Sequence, residues 1–404
     1  MSNRGLLKRG VSLFCAAMLI LSLSGCSAAR QISSGLLSSL FDSVYFSEVH
    51  EQYEQMKQEH FLNSTRFYDE LASDGQRKNY ESLIVKALSF QNNIRMSRGT
   101  RSDDFFEAFD AVKMDCPELF FLSGADTLYF GSWGKKFVKV EYAFTQAEYN
   151  DIMSKIEKNS QAILSLAGKL DSVYEKALTV HDHLVKHITY EDTYDVHTSS
   201  ISGALARGRA SCQGYTQAFQ YLMNRLGCYE VYLVKGDSDN GDKKEAHAWN
   251  YITLDDGRNY YVDVTWDDSQ DNYLTHSYFC IDESRLNATH FNYKSVGNLG
   301  SKYLYFSYSK SVLNGSFANM KKQLTGILAR ALKSDEDSVE FYVEKQGDFN
   351  LTLKWLFEDK NFFSCVQSAY DMTGIYVGDS VKYYYDEKAS TINVILKNRG
   401  ELNG

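Results

Sequence analysis

Between residues 208 and 267 a helix signal is followed closely by a hairpin signal, and this constrains the chain more than any other feature. From Cys212 onward, Tyr215, Ala218, Phe219, Leu222, Met223 and Leu226 recur at the spacing of one helix face, and Gly227 is a natural stop. Ser211 stands where a helix cap is expected. The runs Ala246–Leu254 and Asn259–Asp267 are rich in β-formers and flank Asp255-Asp256-Gly257, which reads as a hairpin turn. The helix therefore begins at a cysteine, and the hairpin carries His247 on one strand and Asp263 on the other.

A cysteine in the first turn of a helix faces unpaired backbone N–H groups and the positive end of the helix dipole, which favours the thiolate. If His247 faces Thr265 across the hairpin, Asp263 is its same-face diagonal neighbour, about 7–8 Å away between Cα atoms. A one-residue slip would put the two on opposite faces. Taken singly, Cys212 reads as a buried structural thiol, His247 as a satisfied strand histidine and Asp263 as a turn carboxylate. Together they supply a nucleophile, a base that takes and returns its proton, and a carboxylate that fixes the base's tautomer.

Gly208-x3-Cys212-x-Gly214-Tyr215, His247-Ala248-Trp249-Asn250 and Asp263-Val264-Thr265-Trp266-Asp267 resemble the transglutaminase-like superfamily. Val180-His181-Asp182-His183-Leu184-Val185 with Ile188-Thr189-Tyr190 is similar to the segment that precedes that family's cysteine. The resemblance spans roughly residues 170–285. It implies an α+β, papain-like core, in which a helix bearing the cysteine packs on an antiparallel sheet that carries the histidine and aspartate. It further implies Cys212 as nucleophile, His247 as general base and acid, and Asp263 as its orienting partner. The shared chemistry is thiolate attack on an amide to give a thioester, which water hydrolyses or an amine transamidates. Tyr190, Trp249 and Trp266 are candidate cleft residues, with core packing as the alternative for each.

The N-terminus reads as an export signal. Arg4, Lys8 and Arg9 precede an apolar run from Val11 to Leu23, too short to span a bilayer comfortably. Leu23-Ser24-Gly25-Cys26 resembles a bacterial lipobox, in which Cys26 is lipidated after cleavage; a plain signal peptide or a short anchor helix is the alternative. The expectation is an exported protein, lipid-anchored to the outer face of a bacterial membrane. The net charge of −9 argues against a uniformly basic nucleic-acid binder. Seven cysteines are too few for a disulfide scaffold, and an odd number, five, remains beyond Cys26.

The expected organisation is a signal peptide over 1–25, a lipidated tether and helix over 26–62, and an N-terminal α+β domain over 63–165. A transglutaminase-like domain over 170–295 and a C-terminal α/β module over 300–404 follow. Within these, helices are expected from Tyr80 to Met96, over 104–112, 145–166 and 320–332, and a strand at 303–306. No cofactor is expected. His181, His183 and His187 include an i, i+4 pair, but the acidic residue of a zinc helix motif and a third ligand are missing, so no metal is expected. Asp237 to Asp242 lacks the closing glutamate of a calcium loop. The sequence thus points to a surface-anchored thiol enzyme acting on a peptide or protein substrate. The rival is a noncatalytic envelope scaffold that uses the same fold to bind peptide or wall.

Overall fold

The computed structural model describes residues 27–59, 64–131, 135–239, 241, 243–268, 273–344, 349–376 and 380–396. The segment expected to be a signal peptide, Cys26 expected as its lipid anchor, and two positions of the acidic tip, Asn240 and Asp242, lie outside the described residues. Among the described residues, no helix is long and apolar enough to cross a membrane. The chain divides into two compact units after Gln146.

In the first unit, residues expected to begin as a tether are helical: α1 runs Ser27–Glu59 without a break. Helix α2 (Asp74–Leu88) opens on a capping box, in which the Ser73 hydroxyl accepts from the Gln76 N–H and the Gln76 side chain accepts from the Ser73 N–H. It stops earlier than its periodicity suggests. Phe90 takes φ +51°, and the chain leaves as strand β1 (Asn93–Arg95). Helix α3 (Ser102–Asp115) follows, then β2 (Leu122–Phe130) and β3 (Lys136–Tyr142), which complete an antiparallel sheet in the order β1-β3-β2. Leu83, Ile84, Phe105, Val112, Phe121 and Val140 are buried in this unit.

The second unit begins with α4 (Gln146–Ala167), α5 (Val173–His187) and strand β4 (Thr189–Tyr190). Helix α6 (Ile201–Arg207) ends at Gly208, whose φ of +68° is the left-handed cap that glycine adopts without strain. Strand β5 (Arg209–Ala210) pairs in parallel with β4 and delivers the chain to α7 (Cys212–Arg225). The apolar stripe predicted for α7 is buried at Tyr215, Ala218, Phe219, Leu222 and Met223.

Strands β6 (Val231–Asp239), β7 (Lys244–Thr253) and β8 (Asn259–Val262) form a meander. Beyond a short helix, α8 (Val264–Asp267), come β9 (Phe279–Ile281) and β10 (His290–Phe291), giving a five-stranded antiparallel sheet in the order β10-β6-β7-β8-β9. Helix and sheet are tied by name: Thr216 Oγ1 donates to Ala248 O at 3.1 Å, and Asn250 Nδ2 donates to Thr216 O at 3.2 Å. Asn250 of the His-Ala-Trp-Asn block is therefore a locking residue between α7 and β7.

The C-terminal residues form a four-stranded sheet, β11 (Val312–Leu313), β12 (Ser338–Val343), β13 (Lys382–Asp386) and β14 (Thr391–Ile395), in the order β11-β12-β14-β13. Helices α9 (Phe317–Lys333) and α10 (Asn361–Thr373) cover it. The strand expected at 303–306 is absent; Tyr305–Tyr308 is one helical turn, and aromatic content alone misread it. Nor is this a detached module. His276 N donates to both Glu340 oxygens at 3.0 Å, Ser277 and Thr391 share a hydroxyl hydrogen bond of 2.6 Å, and Tyr278 Oη donates to Asp386. Ala389 enters the core cluster that holds Trp249 and Tyr251. A chain ending at residue 299 is accordingly expected to melt well below the 147–404 unit, because it strips three partners, Glu340, Thr391 and Asp386, from the loop before β9. Thermal unfolding of the two fragments checks this, and equal melting temperatures would contradict it.

Candidate functional site

The N-terminus of α7 is held where few residue types fit. A Cβ on Gly214 would lie 2.3 Å from Thr198 O and 2.8 Å from the Ala210 Cβ, so the first turn packs directly on the 198–200 loop. Ser211 occupies the cap position but its side chain caps nothing; its Oγ donates to Thr198 O at 3.3 Å instead. This differs from the expected cap, because the neighbouring loop offers a buried carbonyl. Cys212 thus sits in the first helical turn, buried and 4% exposed.

His247 lies on β7 opposite Gly236 of β6. A Cβ at Gly236 would meet Trp249, the Phe291 carbonyl and Tyr293 within 3 Å, so glycine leaves the room that His247 and its neighbours fill. The expected β7–β8 register holds, with Asn250 opposite Val262 and Thr253 opposite Asn259. It does not continue to His247 and Thr265. The strand ends at Val262, and Asp263 turns out of the sheet to cap α8.

That turn gives Asp263 four partners. Its Oδ1 accepts the backbone N–H of Thr265 at 3.0 Å and of Trp266 at 3.2 Å. Its Oδ2 meets His247 Nε2 at 2.6 Å and His290 Nε2 at 3.0 Å. With Nε2 on the carboxylate, His247 also lies close enough to Cys212 for the thiol to help raise the imidazole. The three residues singled out in the sequence are therefore brought together.

The electrostatics follow from these distances. Burial opposes charge on His247, yet Asp263 and the Cys212 thiol outweigh it and raise the imidazole to about 10. Burial likewise disfavours the Asp263 carboxylate, but His247 and His290 beside it hold its pKa below the ordinary carboxylate range. His290 moves the other way: burial lowers it, against the pull of Asp263. A neutral His290 that donates from Nε2 accepts at Nδ1, where Thr289 Oγ1 lies 2.8 Å away. His290 is the site residue that sequence reasoning missed. Its only signal is adjacency, since β10 pairs with β6, the strand that faces His247.

Of the three candidate cleft residues, Trp249 is 1% exposed and packs beneath His247, with ring centroids 5.9 Å apart. Trp266 lies 5.9 Å from His247 and 4.7 Å from His290, between centroids, and is partly exposed. Tyr190 is half-buried on β4; burial raises its hydroxyl and Cys212 adds to the shift, so it lies on the thiol side. Cys116, Cys212, Cys228, Cys280 and Cys365 are all buried and free. Burial raises the thiols of Cys116, Cys228, Cys280 and Cys365.

Residues 161–264 match the model of the transglutaminase-like superfamily. The chain carries a transglutaminase-like domain. That stretch runs from the end of α4 to the start of α8 and contains Cys212, His247 and Asp263. Among solved structures, the chain is similar to a TGase at 16% identity and a TM-score of 0.27, covering 38% of this chain and 47% of that one. It is also similar to a candidate cysteine protease from Cytophaga hutchinsonii at 13% identity and a TM-score of 0.24, covering 42% of this chain and 65% of that one. The chain thus spans less than two thirds of either structure, and overlaps at this level say nothing about activity. No curated protein matches it.

Asp263 yields a stability prediction with a defined pH window. Asp263→Ala is expected to cost about 3–5 kcal/mol, as for breaking a buried ion pair, and Asp263→Asn less, because an amide oxygen still caps α8. The carboxylate's contribution is complete above its unfolded pKa of about 4 and fades as pH falls below it. The raised imidazole's contribution is complete below its unfolded pKa of about 6.5 and is lost as pH climbs through about 10. Urea unfolding should therefore find the largest gap between native and Asp263→Asn protein between about pH 4 and 6.5. A gap that grows from pH 7 to 10 would contradict the assignment.

Proposed function

We propose that this protein is a thiol enzyme that attacks amide bonds of peptide or protein substrates through Cys212, His247 and Asp263. The observation that carries the reading is that one imidazole, His247, meets Asp263 Oδ2 at 2.6 Å and is influenced by the Cys212 thiol near it. Asp263 favours the imidazolium, which can deliver its proton to a departing amine.

In the proposed reaction the Cys212 thiolate adds to the substrate carbonyl carbon. The tetrahedral adduct collapses as His247 donates its proton to the departing amine nitrogen, which leaves with the C–N electron pair. A thioester remains on Cys212. Water or a second amine then adds to the thioester, His247 takes its proton, and the sulfur leaves as thiolate. Water gives net hydrolysis and an amine gives net transamidation. Export and lipid anchoring through Cys26 complete the proposal, placing the substrate outside the cytoplasm.

Two measurements test it. Iodoacetamide at neutral pH should modify Cys212 ahead of Cys116, Cys228, Cys280 and Cys365, and His247→Ala should slow that modification by roughly 10²-fold or more. Slow, equal labelling of all five thiols overturns the reading. With any amide substrate, the alkaline limb of kcat/KM should lie above the ordinary histidine range, because His247 must stay protonated to release the amine. Asp263→Asn removes the charge that raises His247, so it should move that limb to lower pH as well as lower the rate.

A further inference from the structure

A second histidine–carboxylate cluster lies in the same unit, away from the thiol. Helix α5 supplies His181, which is wholly buried, and Asp182, whose side chain is 27% exposed. His276 comes from the loop before β9 and is buried. Asp182 Oδ1 lies 3.1 Å from His181 Nδ1 and 3.0 Å from His276 Nε2. One ligand atom from each of the three residues falls within 4.8 Å of the other two.

The far edge of each ring is held by another carboxylate. His181 Nε2 meets Asp267 Oδ2 at 3.1 Å, and His276 Nδ1 meets Glu340 Oε2 at 3.0 Å. Those outer carboxylates are themselves fixed. Asp267 accepts the Tyr278 N–H at 3.0 and 3.1 Å and the Thr275 hydroxyl at 3.0 Å, and Glu340 accepts the His276 N–H at 3.0 Å. Metal-ligating histidines characteristically present one nitrogen inward while a carboxylate orients the other.

We propose that His181 Nδ1, Asp182 Oδ1 and His276 Nε2 bind one divalent transition metal ion of the zinc type, with a fourth position facing solvent. Tetrahedral bonds of about 2.0–2.1 Å set neighbouring ligand atoms about 3.3 Å apart, close to the two spacings from Asp182 Oδ1, while the two imidazole nitrogens lie within 4.8 Å of each other. Three carboxylates against two imidazoles leave an excess of negative charge for a dication. The approach path is a cavity of about 690 Å³ lined by Asp182, His276, Lys186, Tyr305 and Arg330 among others. The other His–Asp–His group differs in its outer partners: His247 lies near Cys212 and the far edge of His290 meets Thr289, not a carboxylate. Spacing in the chain does not mark this site, because the ligands are one adjacent pair and a histidine some ninety residues on, while His183 and His187 stack on each other with centroids 4.1 Å apart.

The test uses the full chain carrying Cys212→Ala, which separates this site from the thiol, so its result does not depend on whether the protein is an enzyme. After loading with Co(II) and gel filtration, one equivalent of cobalt per chain should remain, with the visible bands of four-coordinate Co(II) and no near-ultraviolet thiolate band. Zn(II) should displace it. Asp182→Asn and His276→Gln should each abolish retention, whereas His290→Gln should keep it. Circular dichroism identifies the folded variants. Failure of the Cys212→Ala protein to retain cobalt overturns the proposal by itself, whatever the other variants do. So does full retention by folded Asp182→Asn protein, or loss confined to His290→Gln.

Discussion

The site depends on one carboxylate that does two unrelated jobs. Asp263 ends β8, and its Oδ1 caps α8 through the N–H groups of Thr265 and Trp266. Its Oδ2 is left pointing at two imidazoles, His247 and His290. The backbone bonds fix the plane of the carboxylate, so the direction offered to His247 is set by the helix start and not by a free rotamer. A carboxylate buried to 1% exposure would normally be driven towards neutrality. Here two imidazoles and two backbone amides satisfy both oxygens, so the charge is kept and can orient the histidine.

Much of this was legible in the sequence, for a physical reason. The α7 stripe and the Asp-Gly turn are local signals, and local signals fixed the helix start at Cys212 and the β7–β8 register. What could not be read was where the strand yields to a cap. Alternation predicts that Asp263 stays in the sheet, diagonal to His247, whereas the N-cap preference of aspartate takes it out and brings it closer. His290 and His276 were invisible because nothing local marks them. Their partners are distant in the chain: the α8 cap Asp263 for His290, and Asp182 on α5 with Glu340 in the C-terminal sheet for His276. The strand expected at 303–306 differs for the opposite reason, since aromatic content is a compositional signal where only hydrogen bonding decides.

The C-terminal sheet belongs to the same structural argument. The loop between α8 and β9 could not hold its shape alone, because His276, Ser277 and Tyr278 present polar groups that water would otherwise satisfy. Glu340, Thr391 and Asp386 satisfy them from β12, β14 and β13. These are buried or half-buried hydrogen bonds, several to charged groups, each worth about 1.5–3 kcal/mol when the charged partner is counted. Their sum makes the C-terminal residues part of the folded core that supports the site.

The block Asp263-Val264-Thr265-Trp266-Asp267 can now be understood as a single helical turn with a different duty at each end. Asp263, the extended cap before the turn, meets His247 and His290, while Asp267, wholly buried at its last position, meets His181 on α5. Trp266 packs between, against His247, His290 and Tyr278. The His181–Asp267 contact is what joins the segment before the cysteine to the segment after the histidine, two blocks that are eighty-six residues apart. Because the turn has only four residues, it cannot stretch or slip without uncoupling one of its carboxylates. The position of the imidazole beside Cys212 and the position of α5 are thus set by the same short helix.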